Sequence, residues 1–353
     1  MRRLFSLLLL VCLLMCMAYV TAAETAFSLL PTREYGGVTY EARPPAETST
    51  ILLIGYDHNN DGQAVELHGY SGGGQADLLL LVVLDHKADM VRLLQIDRDT
   101  IAQVRVTDVM GQQHTRNNLQ ICLAHAYGDT RERNNANTVL AVETLLGIAD
   151  TDDGAGIDYY IAMDISGIGR LNDLLGGVTV TLEDNLTAID PQMQKGSTLT
   201  LTGEQAEIFC RARRGLETPT NAARMGRQRQ YMIAAAEQLK TMLKEDPGFA
   251  EKLLNEMGVV YDRTGQISED PFTFADQTAG IPSGETQGKW LMTSGSKQEI
   301  TAAIALAATY SVNDVETLPG EYSVDNVTGY IRYDVENGAA LSWALGALYR
   351  DMR

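Results

Sequence analysis

Two uninterrupted apolar runs of strand length, Ile51–Tyr56 (ILLIGY) and Leu78–Leu84 (LLLLVVL), constrain this chain more than any other feature. Neither alternates apolar with polar residues, so neither suits a sheet with one face in water. Each reads as a central strand covered on both faces. Around them strand and helix signals alternate. Met90–Ile96, Tyr159–Met163, Val178–Leu182 and Glu207–Arg213 read as strands. The stretches Asn118–Ala126, Asn137–Leu146, Gly167–Leu175 and Arg224–Leu243 read as helical. No composition break or internal repeat divides residues 48–353, so the expectation is one large α/β domain. With 353 residues, 45% of them hydrophobic, the chain can bury a large core without metal or disulfide staples. Lys and Arg number 28 against 46 Asp and Glu, a net charge of −18. That balance excludes nucleic acid as an expected partner, because binding a phosphate backbone requires a basic surface.

The chain opens with an export signal. Arg2 and Arg3 precede an apolar run, Leu4–Val20, and the small residues Thr21-Ala22-Ala23 follow. The run is long for a cleaved signal peptide and slightly short for a comfortable membrane helix, so residues 1–23 are either a signal peptide or an N-terminal anchor. In both cases the positive-inside rule puts the rest of the chain on the extracytoplasmic face of the membrane, or secreted into the envelope. Residues 24–47, with Pro31, Gly36, Gly37, Pro44 and Pro45, read as a linker. Of four cysteines, Cys12 and Cys16 lie in the signal, and Cys16 lacks the small residue expected before a lipidated cysteine. Cys122 and Cys210 are too few and too far apart for a disulfide framework or a zinc site. They either pair in an oxidising compartment or are buried free thiols.

Chemistry gathers where the strands end. If Asp57 to Asp77 joins antiparallel neighbours, and the chain returns through Met90–Ile96, then Asp57, Asp77, Arg98 and Asp99 reach one rim of the sheet. Ser71-Gly72-Gly73-Gly74 in the intervening loop is weak evidence alone. Six arginines between positions 211 and 229 (Arg211, Arg213, Arg214, Arg224, Arg227 and Arg229) are anomalous in so acidic a chain. Read as a strand, Ile208–Arg213 puts Arg211 and Arg213 on one face, and on the following helix Arg224 and Gln228 share another. Guanidinium forks bind phosphate bidentately, and two aspartates at a strand rim suit Mg²⁺ shared with substrate phosphates. Together they suit transfer of a phosphoryl or pyrophosphoryl group. The bland alternative is a solvated basic face paired with surplus acids.

These residues resemble the LytR-CpsA-Psr family of cell-envelope phosphotransferases. The resemblance runs through Ile51–Asp57, Ala76–Leu81, Leu94–Thr100, Ala124–Gly128, Asp158–Asp164, Leu174–Val180, Leu201–Ala206, Arg211–Arg213 and Arg224–Gln230, with Leu318–Tyr322 as a closing segment. It implies a three-layer α/β/α domain with a central mixed sheet and a hydrophobic pocket for a polyprenyl chain. It implies Mg²⁺-assisted transfer of a glycopolymer from a polyprenyl (pyro)phosphate carrier at the cell membrane onto a peptidoglycan acceptor. Carried across by position, Asp57 and Asp77 match the metal-binding aspartates. Arg98, Arg211, Arg213, Arg224 and Gln228 match the (pyro)phosphate-binding groups. Arg98 and Asp99 are the expected catalytic pair, with Asp99 orienting Arg98. Arg116 sits near a family lysine. Two positions depart from the pattern: Gln75 stands where the family usually has Arg, and Asn221 where it usually has Asp. These leave a second reading open, a catalytically weak relative that binds lipid-linked or wall glycopolymer.

Overall fold

A computed structural model describes residues 32–57, 74–108, 110–128, 130–149, 155–213, 216, 218–262, 290–326 and 328–352. The segment 1–23 therefore lies outside the described residues, as does Arg214. Among the described residues no helix is long and apolar enough to cross a membrane. The strands of the first half are β1 (Thr32–Tyr35), β2 (Val38–Ala42), β3 (Thr48–Tyr56), β4 (Ala76–Asp85), β5 (Met90–Ile96), β6 (Ile101–Thr107), β7 (Gln113–Gln120) and β8 (Tyr159–Asp164). Those of the second half are β9 (Thr179–Thr181), β10 (Thr198–Thr200), β11 (Val260–Tyr261), β12 (Leu291–Thr293), β13 (Ser311–Thr317), β14 (Gly320–Val324), β15 (Ile331–Val335) and β16 (Tyr349–Asp351). The helices are α1 (Arg131–Leu146), α2 (Gly167–Leu174), α3 (Gly203–Arg211), α4 (Asn221–Glu245), α5 (Phe249–Glu256), α6 (Lys297–Ala307) and α7 (Ala339–Leu348), besides a 3-10 helix over Ile121–Tyr127.

The central sheet is mixed, seven strands in the order β11-β12-β8-β3-β4-β5-β13. The two apolar runs are its middle: β3 pairs antiparallel with β4 and parallel with β8, and β4 pairs antiparallel with β5. One face is filled. Leu52, Ile54, Leu79, Leu81, Val83 and Leu94 are at most 1% exposed, and they pack with Val142 and Leu146 of α1 and Ala344 and Leu345 of α7. The other face carries equally apolar residues, but Leu53, Leu78, Val82, Leu93, Ile161 and Met163 are only half-buried. These residues line a cavity of ≈ 410 Å³ beneath α4, α5 and α6. A second apolar cluster joins α2, α3, α4 and α5 through Ile168, Phe209, Tyr231 and Leu253.

Four expectations change. Residues 32–42, expected within a linker, form a hairpin whose second strand pairs with β16. Its turn is Gly36-Gly37, with φ of +60° and +77°, a conformation that hairpin turns require and glycine accepts freely. Residues Glu207–Arg213 are not a strand. Thr202 caps α3 by accepting from Gln205 N–H, while the Gln205 side chain accepts from Thr202 N–H, and this capping box starts a helix through Arg211. The stretch Asn118–Ala126, expected to be helical throughout, ends strand β7 before turning into the buried 3-10 helix. The Val178–Leu182 strand is shorter, Thr179–Thr181.

Candidate active site

The β3–β4–β5 meander brings the acidic residues to one rim. Asp57 follows β3 directly, and its backbone N–H donates to Gln75 O at 3.1 Å. Gln75 N–H donates back to Asp57 Oδ1 at 2.7 Å. The approach is close enough to need glycine alongside. Gly74 has φ +74°, and a Cβ there would lie 1.5 Å from the Asp57 carbonyl oxygen. On β4 the register skips Asp77, since Gly55 pairs with Leu78 but Tyr56 with Ala76. Asp77 is thus the extra residue of a β-bulge, a device that re-aims a side chain at a sheet edge.

Two arginines converge on Asp77. Arg98, just beyond β5, donates from Nη1 to Asp77 Oδ1. Its Nη2 donates to Gln75 Oε1 and lies 3.2 Å from Cys122 Sγ, and its Nε lies 3.5 Å from Asp99 Oδ1. Arg224, in the first turn of α4, donates from Nη1 to Asp77 Oδ2 at 2.9 Å and from Nη2 to Asn221 Oδ1 at 2.8 Å. Asn221 Nδ2 in turn donates to Asp97 Oδ1 at 2.9 Å. Arg213 is near enough that its charge draws on Asp99 and repels Arg224. Burial pushes the Asp99 carboxyl above its usual range, with Arg98 pulling the other way. Burial likewise lowers Arg224, opposed by the attraction of Asp77. Arg224 Nε and Gln228 Oε1 are buried without a hydrogen-bond partner among the described residues.

The remaining expected residues divide. Gln228 lies one turn along α4 from Arg224, donates to Cys210 O at 3.3 Å, and lines the cavity. Arg211 does not join the cluster. As the last residue of α3 it pairs with Glu207 one turn earlier on its own helix, and its side chain is 38% exposed. The strand face that was to align Arg211 with Arg213 does not exist. Arg227 is structural: it donates to Phe209 O and Ala212 O and pairs with Asp184 at 2.5 Å, fastening the end of α3 to α4. Arg229 donates to Gln95 Oε1 at 3.1 Å, and Arg116 is exposed on β7. Cys122 and Cys210 are buried free thiols, each pushed up to about 12 by burial.

Sequence reasoning missed Asp97 and left Cys122 without a place. Asp97 carried a signal only as the acid that precedes Arg98 in Asp97-Arg98-Asp99. Both departures from the family pattern are side-chain amides whose oxygens accept from arginine, Gln75 from Arg98 and Asn221 from Arg224. The carboxylates expected to hold a cation are Asp57 and Asp77, and no group of three or more His, Cys, Asp or Glu among the described residues is placed to hold a metal ion. Both Asp77 oxygens accept from arginines and Asp57 Oδ1 accepts from the Gln75 N–H, so a Mg²⁺ held here would share Asp77 with Arg98 and Arg224 and take its other oxygens from water and phosphate.

The cavity begins at this cluster. From Gln228 it follows α4 past Tyr231, Met232 and Ala235 to Lys240, twelve residues or about 18 Å of helix. Its walls are almost wholly apolar. The fold and site define a three-layer α/β/α domain with an apolar cavity whose lining reaches Gln228, one helical turn from a buried arginine–aspartate cluster. The chain belongs to the LytR_cpsA_psr family, whose profile matches residues 17–258. A curated relative from Bacillus mycoides (strain KBAB4), named polyisoprenyl-teichoic acid–peptidoglycan teichoic acid transferase TagU, is 28% identical over 215 residues, 61% of this chain and 60% of that protein. The protein of the same name from Halalkalibacterium halodurans is 25% identical over 217 residues, 62% of this chain and 59% of that one. The chain thus spans about three-fifths of the length of these relatives. Among solved structures, Bacillus subtilis TagV aligns with TM-score 0.56 at 20% identity, covering 86% of this chain and 96% of that one. TagT bound to LI-WTA aligns with TM-score 0.56 at 18% identity, covering 87% and 91%. At these identities the two structures establish the fold alone.

Proposed function

We propose that this protein is an extracytoplasmic phosphotransferase that moves a glycopolymer from a polyprenyl (pyro)phosphate carrier to peptidoglycan. The observation that carries the reading is the pairing of an underfilled apolar sheet face with a buried arginine–aspartate cluster at one end of it. Such a cavity removes a polyprenyl chain from water while leaving its phosphate end at the arginines. The unpartnered Arg224 Nε–H is a donor that a phosphate oxygen satisfies, and Arg213 and Arg98 add positive charge beside it. Their role is to hold the phosphate groups and offset charge as the bond to the leaving oxygen breaks. Asp57 and Asp77 would hold Mg²⁺, which when bound supplies charge neutralisation at the phosphates. The names of the TagU relatives, which specify transfer of teichoic acid to peptidoglycan, support the same class of reaction.

The test supplies purified protein with undecaprenyl diphosphate-linked N-acetylglucosamine, Mg²⁺ and peptidoglycan. Release of undecaprenyl phosphate, with the sugar phosphate joined to a peptidoglycan hydroxyl as a phosphodiester, is the expected result. Binding of the lipid without release would instead identify a binding protein.

A further inference from the structure

Between Asp97 and Arg224 stands a single side chain, the amide of Asn221. Asp97 is itself held from three sides. Its Oδ1 accepts from Asp99 N–H at 2.8 Å and from Asn221 Nδ2 at 2.9 Å, and its Oδ2 accepts from the Tyr322 hydroxyl. An ionised carboxylate only accepts and a guanidinium only donates. The Asn221 amide therefore has one allowed orientation, nitrogen toward Asp97 and oxygen toward Arg224. Asp97, Asn221 and Arg224 are 7%, 5% and 3% exposed, so water does not compete for these bonds.

We propose that Asp97 is a positioning residue for Arg224, acting through Asn221, and that the identities of residues 97 and 221 depend on each other. The proposal rests on the phosphate-binding role of Arg224 given above. It also accounts for one departure from the family pattern. An aspartate at 221 would set two carboxylates about 3 Å apart, where both cannot ionise. With Asp at 97, the neutral amide is the residue that still accepts from Arg224. The carboxylate usually placed beside this arginine is thus set one side chain further back.

Three variants test the link: Asp97→Asn, Asn221→Asp, and the two combined. Each single change should lower kcat about tenfold with KM nearly unchanged, because Arg224 keeps its place but loses its fixed direction. The double variant exchanges carboxylate and amide and keeps the net charge, so kcat should return to within about threefold of the parent, a coupling that only interacting sites show. The assay is undecaprenyl phosphate release from undecaprenyl diphosphate-linked N-acetylglucosamine. A second readout needs no substrate: the side-chain N–H resonances of ¹⁵N-labelled Arg224, identified by loss in Arg224→Lys, should shift or broaden in each single variant and recover in the double. Should the parent protein release no lipid phosphate, the functional reading fails while the spectra still decide the link. Should Asp97→Asn not fold, Asn221→Asp reads the same contact from the other side. Unchanged Arg224 resonances in the single variants, or kcat losses that follow melting temperature and are not restored by the exchange, would overturn the proposal.

Discussion

Arg224 Nη1 lies 2.9 Å from Asp77 Oδ2 across 147 residues of chain, with side-chain exposures of 4% and 10%. The contact ties the start of α4 to the bulge at the start of β4. A buried ion pair contributes little net stability when intact, but removing one partner strands the other. Arg224→Ala should destabilise the fold by about 3 kcal/mol, toward the low end for buried pairs because Arg98 still engages Asp77. The double variant Asp77→Ala/Arg224→Ala should cost less than the sum of the singles. Urea unfolding of the four proteins measures both.

Arg211 should behave unlike the cluster arginines. Its partner is Glu207 on the same half-exposed helix face, an arrangement worth about 0.3–0.5 kcal/mol. Arg211→Ala is expected to change stability by no more than that and to leave kcat nearly intact, whereas Arg213→Ala should lower kcat. Parallel turnover assays would expose the opposite ranking.

Filling the cavity should block lipid while sparing the fold. Ala235 lines it from α4. Ala235→Phe puts a ring into space already bounded by apolar walls, so the melting temperature should hold or rise. Affinity for undecaprenyl phosphate in detergent, followed by fluorescence titration, should fall about tenfold, or 1.4 kcal/mol. Undiminished binding would show that the chain lodges elsewhere.

Asp57 separates metal binding from the arginine network, since its Oδ1 accepts from the Gln75 N–H and, among the described residues, from neither Arg98 nor Arg224. Asn in its place keeps that acceptor and loses the charge. Asp57→Asn should raise the Mg²⁺ concentration needed for half-maximal turnover without altering the urea midpoint. Calorimetric titration with Mg²⁺ alone gives a second reading of the same loss.

The two buried thiols give a pH window. Their ordinary value is 9.0, and burial raises both to about 12 in the folded chain. Between these values the folded state keeps protons that the unfolded state releases, so stability is full below pH 9 and falls as pH rises toward 12. Each thiol should add to that fall, because its folded form holds a proton that the unfolded chain has released. In a chain with Cys12 and Cys16 changed to Ser, the further change of Cys122 and Cys210 to Ala should flatten this slope. Iodoacetamide at neutral pH should label neither thiol until the protein unfolds.

The sequence by itself determined the middle of the sheet. The runs at Ile51–Tyr56 and Leu78–Leu84 are apolar at every step, so they are buried on both sides wherever they sit. Their order with Met90–Ile96 makes a meander that delivers Asp57, Asp77, Arg98 and Asp99 to one rim. Helix α4, with Arg224 and Gln228 on one face, was equally legible because the 3.6-residue period is local. The α3 helix was misread: the alternation of Arg211 and Arg213 reads as a strand, and the capping box of Thr202 and Gln205 that starts the helix was the local signal against it. Tertiary structure alone decided the rest. The role of Asp97 depends on Asn221, 124 residues away, reaching it from the first turn of α4. The cavity depends on packing that no local pattern records. Alternate residues of β3 and β4 are apolar on both faces, and only the placement of α1 and α7 against one, and of α4 to α6 against the other, left the first filled and the second partly empty.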